Sequence, residues 1–342
     1  MNHAELIERV ARLQPVERAP FALLSSGAWA IIRKGSGLEN ALSLDPAVVA
    51  DWLYEGYTSA GSAISWVGSG YNNIVVKAVG GKIKWRRKGT PDVVEPLLSS
   101  VDDIAAFDPA VIADDPDIRA IYEIAGRLVE REQGQRLVGG SMWGPFTLAG
   151  LLFGADALMR LIIKDTVALD KLLRFSAELY LAYMQGYIDR GVRVIFMAEP
   201  SASGDMISRR HFEQAALPYI REIYRRLSGK GLILGLHICG DSGNRLDLIA
   251  ESGAQIMSLD YKVPLELAKR AFAGKIAFSG NLDPVSVVQQ GTEEEIRKLT
   301  IQSIETVGTD SGYIVMPGCD IPPSTPLENL QIISRTVNEY TV

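Results

Sequence analysis

The segment LILGLHICGDSG, Leu232–Gly243, decides how this chain folds. A branched apolar run ends in His237 and Cys239 and breaks at once into Gly240 and Asp241. A strand buried on both faces ends this way before a turn. The same cadence surrounds it. Upstream, a helix over Asp170–Asp189, with Leu172, Leu173, Leu179 and Tyr183 at helical spacings, leads into the strand VRVIFMA at Val192–Ala198. The loop EPSASGDMIS, a helix over Arg209–Leu227 and the strand Leu232–His237 follow. Downstream come a helix at Arg245–Glu251, a strand at Gln255–Leu259, a helix opened by Pro264 and a strand at Lys275–Ser279. A helix at Glu293–Val307, a strand at Tyr313–Met316 and a helix at Pro326–Asn338 complete the series. Strand, helix, strand at this pace builds right-handed βαβ units on a parallel sheet. The fold expected is α/β, a (β/α)8 TIM barrel.

The first half is less regular. PFALL, beginning at Pro20, reads as a first strand, and RLVGGSMWGPFTLAGLLFG as strand, glycine-rich turn and helix. Between them NIVVKAVGGKIKWRRKG reads as a β-hairpin turning at Gly80-Gly81. A hairpin does not belong to an ideal barrel, so roughly residues 60–100 are expected as an inserted elaboration that includes Trp66, Tyr71 and Asn72. No linker, low-complexity tract or repeat divides the chain, and one barrel domain over 1–342 is expected.

Composition narrows the function classes. The 342 residues are 47% hydrophobic and carry a net charge of -6, which gives no basic footprint for nucleic acid. The run WRRK, Trp85–Lys88, and the pair Arg209-Arg210 read as solvated surface. No apolar stretch reaches the roughly 18 residues of a membrane span. The N-terminal MNHAELIERVARLQP is an amphipathic helix rather than a signal peptide. Cys239 and Cys319 are the only cysteines, too few for a stapled secreted scaffold. A cytoplasmic location without nucleic-acid or membrane partners is expected.

Strand ends of a parallel barrel gather at one face, so His237, Cys239 and the distant Cys319 can meet there. One imidazole and two thiolates form a common three-ligand set for a zinc that keeps a position open for chemistry. Each residue also has a plainer use, the cysteines as small hydrophobes and the histidine as a hydrogen-bonded core residue. Their spacing leaves both uses open. The other polar residues at strand ends are Glu199, Asp260, Asn281, Asp283 and Asp320. Carboxylates in such places also cap the next helix, and Asn281 and Asp283 could form an Asx turn before Pro284.

HICGDSG, SGNLDP and PGCDIPPSTPLENL, in that order, resemble the uroporphyrinogen decarboxylase superfamily, and within it the branch of methylcobamide:coenzyme M methyltransferases. AEPSASGDMIS and GPFTLAG are similar to that branch's strand-end loop and helix start. The likeness runs from about Gly139 to the C-terminus and fades before it. It implies a (β/α)8 barrel in which His237, Cys239 and Cys319 bind Zn2+. The implied reaction moves a methyl group between a methylcobamide on a separate corrinoid-binding protein and a small thiol or methylated small molecule. Position then assigns Glu199 as a fourth ligand or a partner of His237, and Asp260, Asn281 and Asp283 as pocket residues orienting substrate. Trp66, Tyr71 and Asn72 are expected at the mouth facing the corrinoid, the alternative being an aromatic cluster that packs the hairpin. Three rival functions remain. They are uroporphyrinogen decarboxylation, O- or N-demethylation that loads a corrinoid protein, and a non-catalytic binding role. An arginine-rich opening expected of the decarboxylases is missing from FALLSSGAWAIIRKG, which has only Arg33 and Lys34.

Overall fold

In the computed structural model, which describes residues 1–309 and 312–340, β1 (Ile64–Trp66) stands at the start of a parallel sheet. Outside it, β2 (Ile83–Lys84) and β3 (Asp92–Val93) form a separate antiparallel ribbon. The sheet continues with β4 (Leu137–Trp143), β5 (Val194–Ala198), β6 (Ile233–Ile238), β7 (Ile256–Leu259), β8 (Ala277–Leu282) and β9 (Tyr313–Pro317). Its order is β1-β4-β5-β6-β7-β8-β9. An extended segment at 20–22 closes the circle. Ala22 donates its amide to Val315 O at 3.0 Å, Val315 donates to Pro20 O at 2.9 Å, and Ala63 donates to Phe21 O at 2.8 Å. The expected first strand is therefore present as a single bridge, Phe21 to Val315, that occupies the eighth staves' place in a TIM-like barrel.

Packing fixes which residues face the barrel interior. A Cβ on Gly235 would lie 2.0 Å from the Phe196 ring, and Phe196 meets Trp66 edge-on at 5.2 Å between centroids. Side chains alternate along a strand, so His237 on β6 points inward with Gly235, beside Ser258 of β7 in the same register row.

The helix expected at Arg209–Leu227 contains a π segment at Phe212–Ala216 just before Leu217–Leu227. Pro218 lacks an amide proton, and a wider turn absorbs that loss. The hairpin expected at Gly80-Gly81 is not there. Ile74–Ala78 is a helix with Ile74, Val75 and Val76 buried. The two glycines end it: Gly80, at φ +97°, donates to Lys77 O at 2.9 Å and Gly81 to Val76 O at 2.8 Å. That pair of bonds is a Schellman stop. The ribbon instead pairs β2 with the later segment β3.

Candidate metal and methyl-transfer site

Three donors converge at the C-terminal ends of β6 and β9. His237 Nε2 lies 2.9 Å from Cys239 Sγ, and Cys239 Sγ lies 3.3 Å from Cys319 Sγ. All three ligand atoms fall within 4.8 Å of one another. The histidine is buried and the two cysteines are half-buried. Behind the imidazole, Nδ1 sits 3.2 Å from Ser258 O and 3.1 Å from Ser258 Oγ.

The loops that present the thiols are held from β7 and β8. Gly240 donates its amide to Asp260 Oδ2 at 2.7 Å, and Lys262 donates its amide to Asp260 Oδ1 at 2.9 Å. Asn281 Nδ2 donates to Val263 O at 2.6 Å and Asp260 O at 3.2 Å. On the β9 side, Gly318 donates to Leu282 O at 2.7 Å. A Cβ on Gly318 would lie 2.5 Å from the Tyr261 amide nitrogen, so only glycine lets the Cys319 loop come this close. Trp29 Nε1 donates to Thr325 O at 2.9 Å and pins the far end of that loop.

The local electrostatics follow from burial and from contact among the three donors. Contact with the Cys239 thiol, then burial, push the Cys319 thiol up from its ordinary range. For His237, burial works downward, but the Cys319 and Ser258 contacts outweigh it and raise the imidazole. Zinc fits this donor set. It takes imidazole nitrogen and thiolate sulfur together, and a three-residue set leaves its fourth position open. Among the described residues no further His, Cys, Asp or Glu joins the cluster.

Glu199 lies outside this cluster. It is the residue after Ala198, which pairs in register with His237, and one step along a strand reverses the face. Its carboxylate turns to the helix Pro145–Phe153, accepting from Phe146 N at 2.9 Å and Thr147 N at 2.8 Å. It is completely buried, and burial raises its carboxyl to about 7. Asp283 is likewise a cap: its Oδ1 accepts from Val285 N at 2.8 Å and Ser286 N at 2.9 Å. Burial would raise its carboxyl, but those amides win and hold it below the usual range. Asn281 and Asp283 both line a cleft of about 320 Å³ that also touches Leu299 and Thr306 of the helix Glu293–Val307. Asp260 and Asn281 thus brace the ligand loops, Asp283 belongs to the next turn, and Glu199 to the helix layer.

The residues expected at the mouth are packed inside. Trp66 is fully buried and donates to Leu23 O at 2.7 Å; Tyr71 is buried and donates to Leu38 O at 2.9 Å. Asn72 is buried too, and its Oδ1 has no partner among the described residues. None of the three offers an exposed contact surface: Trp66 lies on β1, a strand of the barrel itself and not part of an insertion over 60–100, and Tyr71 and Asn72 are buried in and beside the short turn that follows it. Two residues escaped the sequence reading. Ser258 carries no motif signal beyond its strand register with His237. Arg245 is fully buried, donating to Ala202 O at 2.7 Å and Ile207 O at 2.9 Å, and so clamps the β5 loop.

A closed parallel barrel whose polar side chains gather at the C-terminal rim defines the class of barrel enzymes. The chain belongs to the uroporphyrinogen decarboxylase (URO-D) family, whose profile matches residues 2–340. It is 27% identical over 270 residues to the methylated-thiol–coenzyme M methyltransferase of Methanosarcina mazei, covering 79% of this chain and 71% of that protein. It is 28% identical to the methylcobamide:CoM methyltransferase of Methanosarcina acetivorans, over 74% of this chain and 73% of that protein. A uroporphyrinogen decarboxylase of Carboxydothermus hydrogenoformans is 25% identical over 78% of this chain and 75% of its own. The solved structure of a methyltransferase from Methanosarcina mazei superposes with a TM-score of 0.90 at 22% identity, covering 99% of each chain. That superposition bears on the fold. No single described helix is long and apolar enough to cross a membrane.

Proposed function

We propose that this chain is a zinc-dependent methyltransferase that moves a methyl group between a corrinoid carried by a partner protein and a small thiol. The observation that carries the reading is the convergence of His237, Cys239 and Cys319 within 4.8 Å. The methyltransferase relatives support it. Decarboxylation of a tetrapyrrole gives no use for such a donor set.

Zinc held by His237, Cys239 and Cys319 would supply a Lewis acid that favours the thiolate form of a substrate thiol. The chain's own residues do the rest. His237 turns Nε2 to the thiols because Nδ1 is engaged by Ser258. Asp260 holds the Gly240 amide and with it the direction of Cys239. The close approach of Gly318 to Tyr261 sets how far Cys319 reaches over the barrel mouth. A substrate sulfur fixed by these loops meets the incoming methyl carbon in line, and that positioning is worth several orders of magnitude in rate. In the transfer the sulfur lone pair forms the S–C bond while the cobalt–carbon pair returns to the corrinoid. The thiol proton goes to solvent.

The test is zinc analysis of the purified chain, with methyl transfer from free methylcobalamin to a panel of small thiols followed by absorbance. About one zinc per chain and thiol-dependent loss of methylcobalamin are expected. Cys239→Ala should lose both while keeping its far-ultraviolet dichroism. Transfer that persists without metal would overturn the mechanism. Turnover of a phenyl methyl ether in place of thiols would reassign the chain to demethylation.

A further inference from the structure

The imidazole of His237 is addressed from behind by a residue that the motifs do not announce. Ser258 O accepts only, so at 3.2 Å from it Nδ1 must carry the proton, which leaves Nε2 with the lone pair that faces the thiols. Ser258 Oγ, at 3.1 Å, takes a share of the same N–H. Its own hydroxyl proton then needs an acceptor. Ser279 stands next to it on β8 in the same register row, and its Oγ is buried with no partner among the described residues. Neighbouring strands lie about 4.8 Å apart, so rotation of two short side chains brings the hydroxyls together. Both serines are completely buried. A buried hydroxyl left without a partner is destabilising, and a pair that satisfies each other removes that penalty.

We propose that Ser258 and Ser279 form a hydroxyl relay behind His237 that holds the ring in one tautomer and one orientation toward the metal. The proposal rests on the zinc reading above. Ser258 and Ser279 are positioning residues that touch neither substrate nor metal and act through His237. Partners of this kind in other metal sites change metal affinity by about 10–100-fold.

The experiment measures zinc affinity by competition with a chromogenic chelator, and the visible bands of the cobalt(II)-loaded protein, in wild type and variants. Ser258→Ala is expected to bind zinc about 10–100-fold more weakly and to shift the cobalt bands. Ser279→Ala should move both readouts the same way by a smaller factor. Ser258→Thr, which keeps the hydroxyl, should restore both. Wild-type affinity and spectrum in Ser258→Ala would overturn the proposal. If Ser258→Ala does not fold, wild-type behaviour of Ser279→Ala overturns it instead. A wild-type chain that binds no zinc defeats the functional reading itself, a result separate from any difference among the serine variants.

Discussion

Glu199 shows how one position along a strand changes the chemistry of a side chain. Enclosed behind β5 and held by two helix amides, its carboxyl is raised by burial to about 7 from the ordinary 4.5. The amides favour the anion, and burial outweighs them. The linkage follows from the direction of the shift. Below the unfolded value the group is protonated in both states and carries no penalty. As pH rises through 7 the folded state must hold a buried anion, so this contribution to stability is lost across pH 4.5–7, up to about 3 kcal/mol. Urea unfolding at pH 5 and pH 8 measures it. In Glu199→Gln that fall should vanish, while stability at pH 5 drops by about 1–3 kcal/mol because the new amide NH2 faces a backbone N–H. A Gln variant with the wild-type pH slope would show that Glu199 does not titrate in this range.

At the scale of elements, legibility followed strand length and context. β5, β6 and β9 are buried at every position, and such runs of branched residues flanked by amphipathic helices announce themselves. β1 is three residues long and has no periodicity to read, whereas the 20–22 stave shows as the apolar run PFALL although it makes only one bridge. The apolar run Ile74–Val76 looked like a strand because a short buried helix and a short buried strand share a composition. The two cysteines and His237 were legible since strand ends collect at one rim. Glu199 was not: the strand end was found, but its face depends on register to a single residue. Ser258 was silent because its role comes entirely from the neighbouring strand. The packing of β6 yields a prediction of its own. Gly235→Ala puts a methyl group into the Phe196 ring, and the overpacking should destabilise the barrel by about 1–3 kcal/mol, read from the urea midpoint. A midpoint equal to wild type would mean that the Phe196–Trp66 pair shifts freely, against the burial of both rings.

The whole molecule depends on a seam. β1 is short, and the 20–22 segment must join it to β9 before the circle closes. The structure reinforces this region with a buried ion pair. Arg136 Nε donates to Glu132 Oε2 at 2.9 Å, with side-chain exposures of 7% and 1%, and Ser65 of β1 donates to Glu132 Oε1 at 2.5 Å. Arg136 also reaches Thr58, on the helix Pro46–Ala60 that packs beside the seam. Removing one partner strands the other charge, so Glu132→Ala should lose about 3–5 kcal/mol. A cation held by His237, Cys239 and Cys319 would tie β6 to β9, whose far edge meets the 20–22 stave, so its binding would stabilise only the closed barrel. Zinc at 100 times its dissociation constant should then return about 2.7 kcal/mol to wild type and Glu132→Ala alike. The increment would be read as an equal rise in unfolding free energy. The same gain in Cys239→Ala would place the ion elsewhere, and a gain in wild type alone would mean that the damaged seam no longer presents Cys319 to its partners.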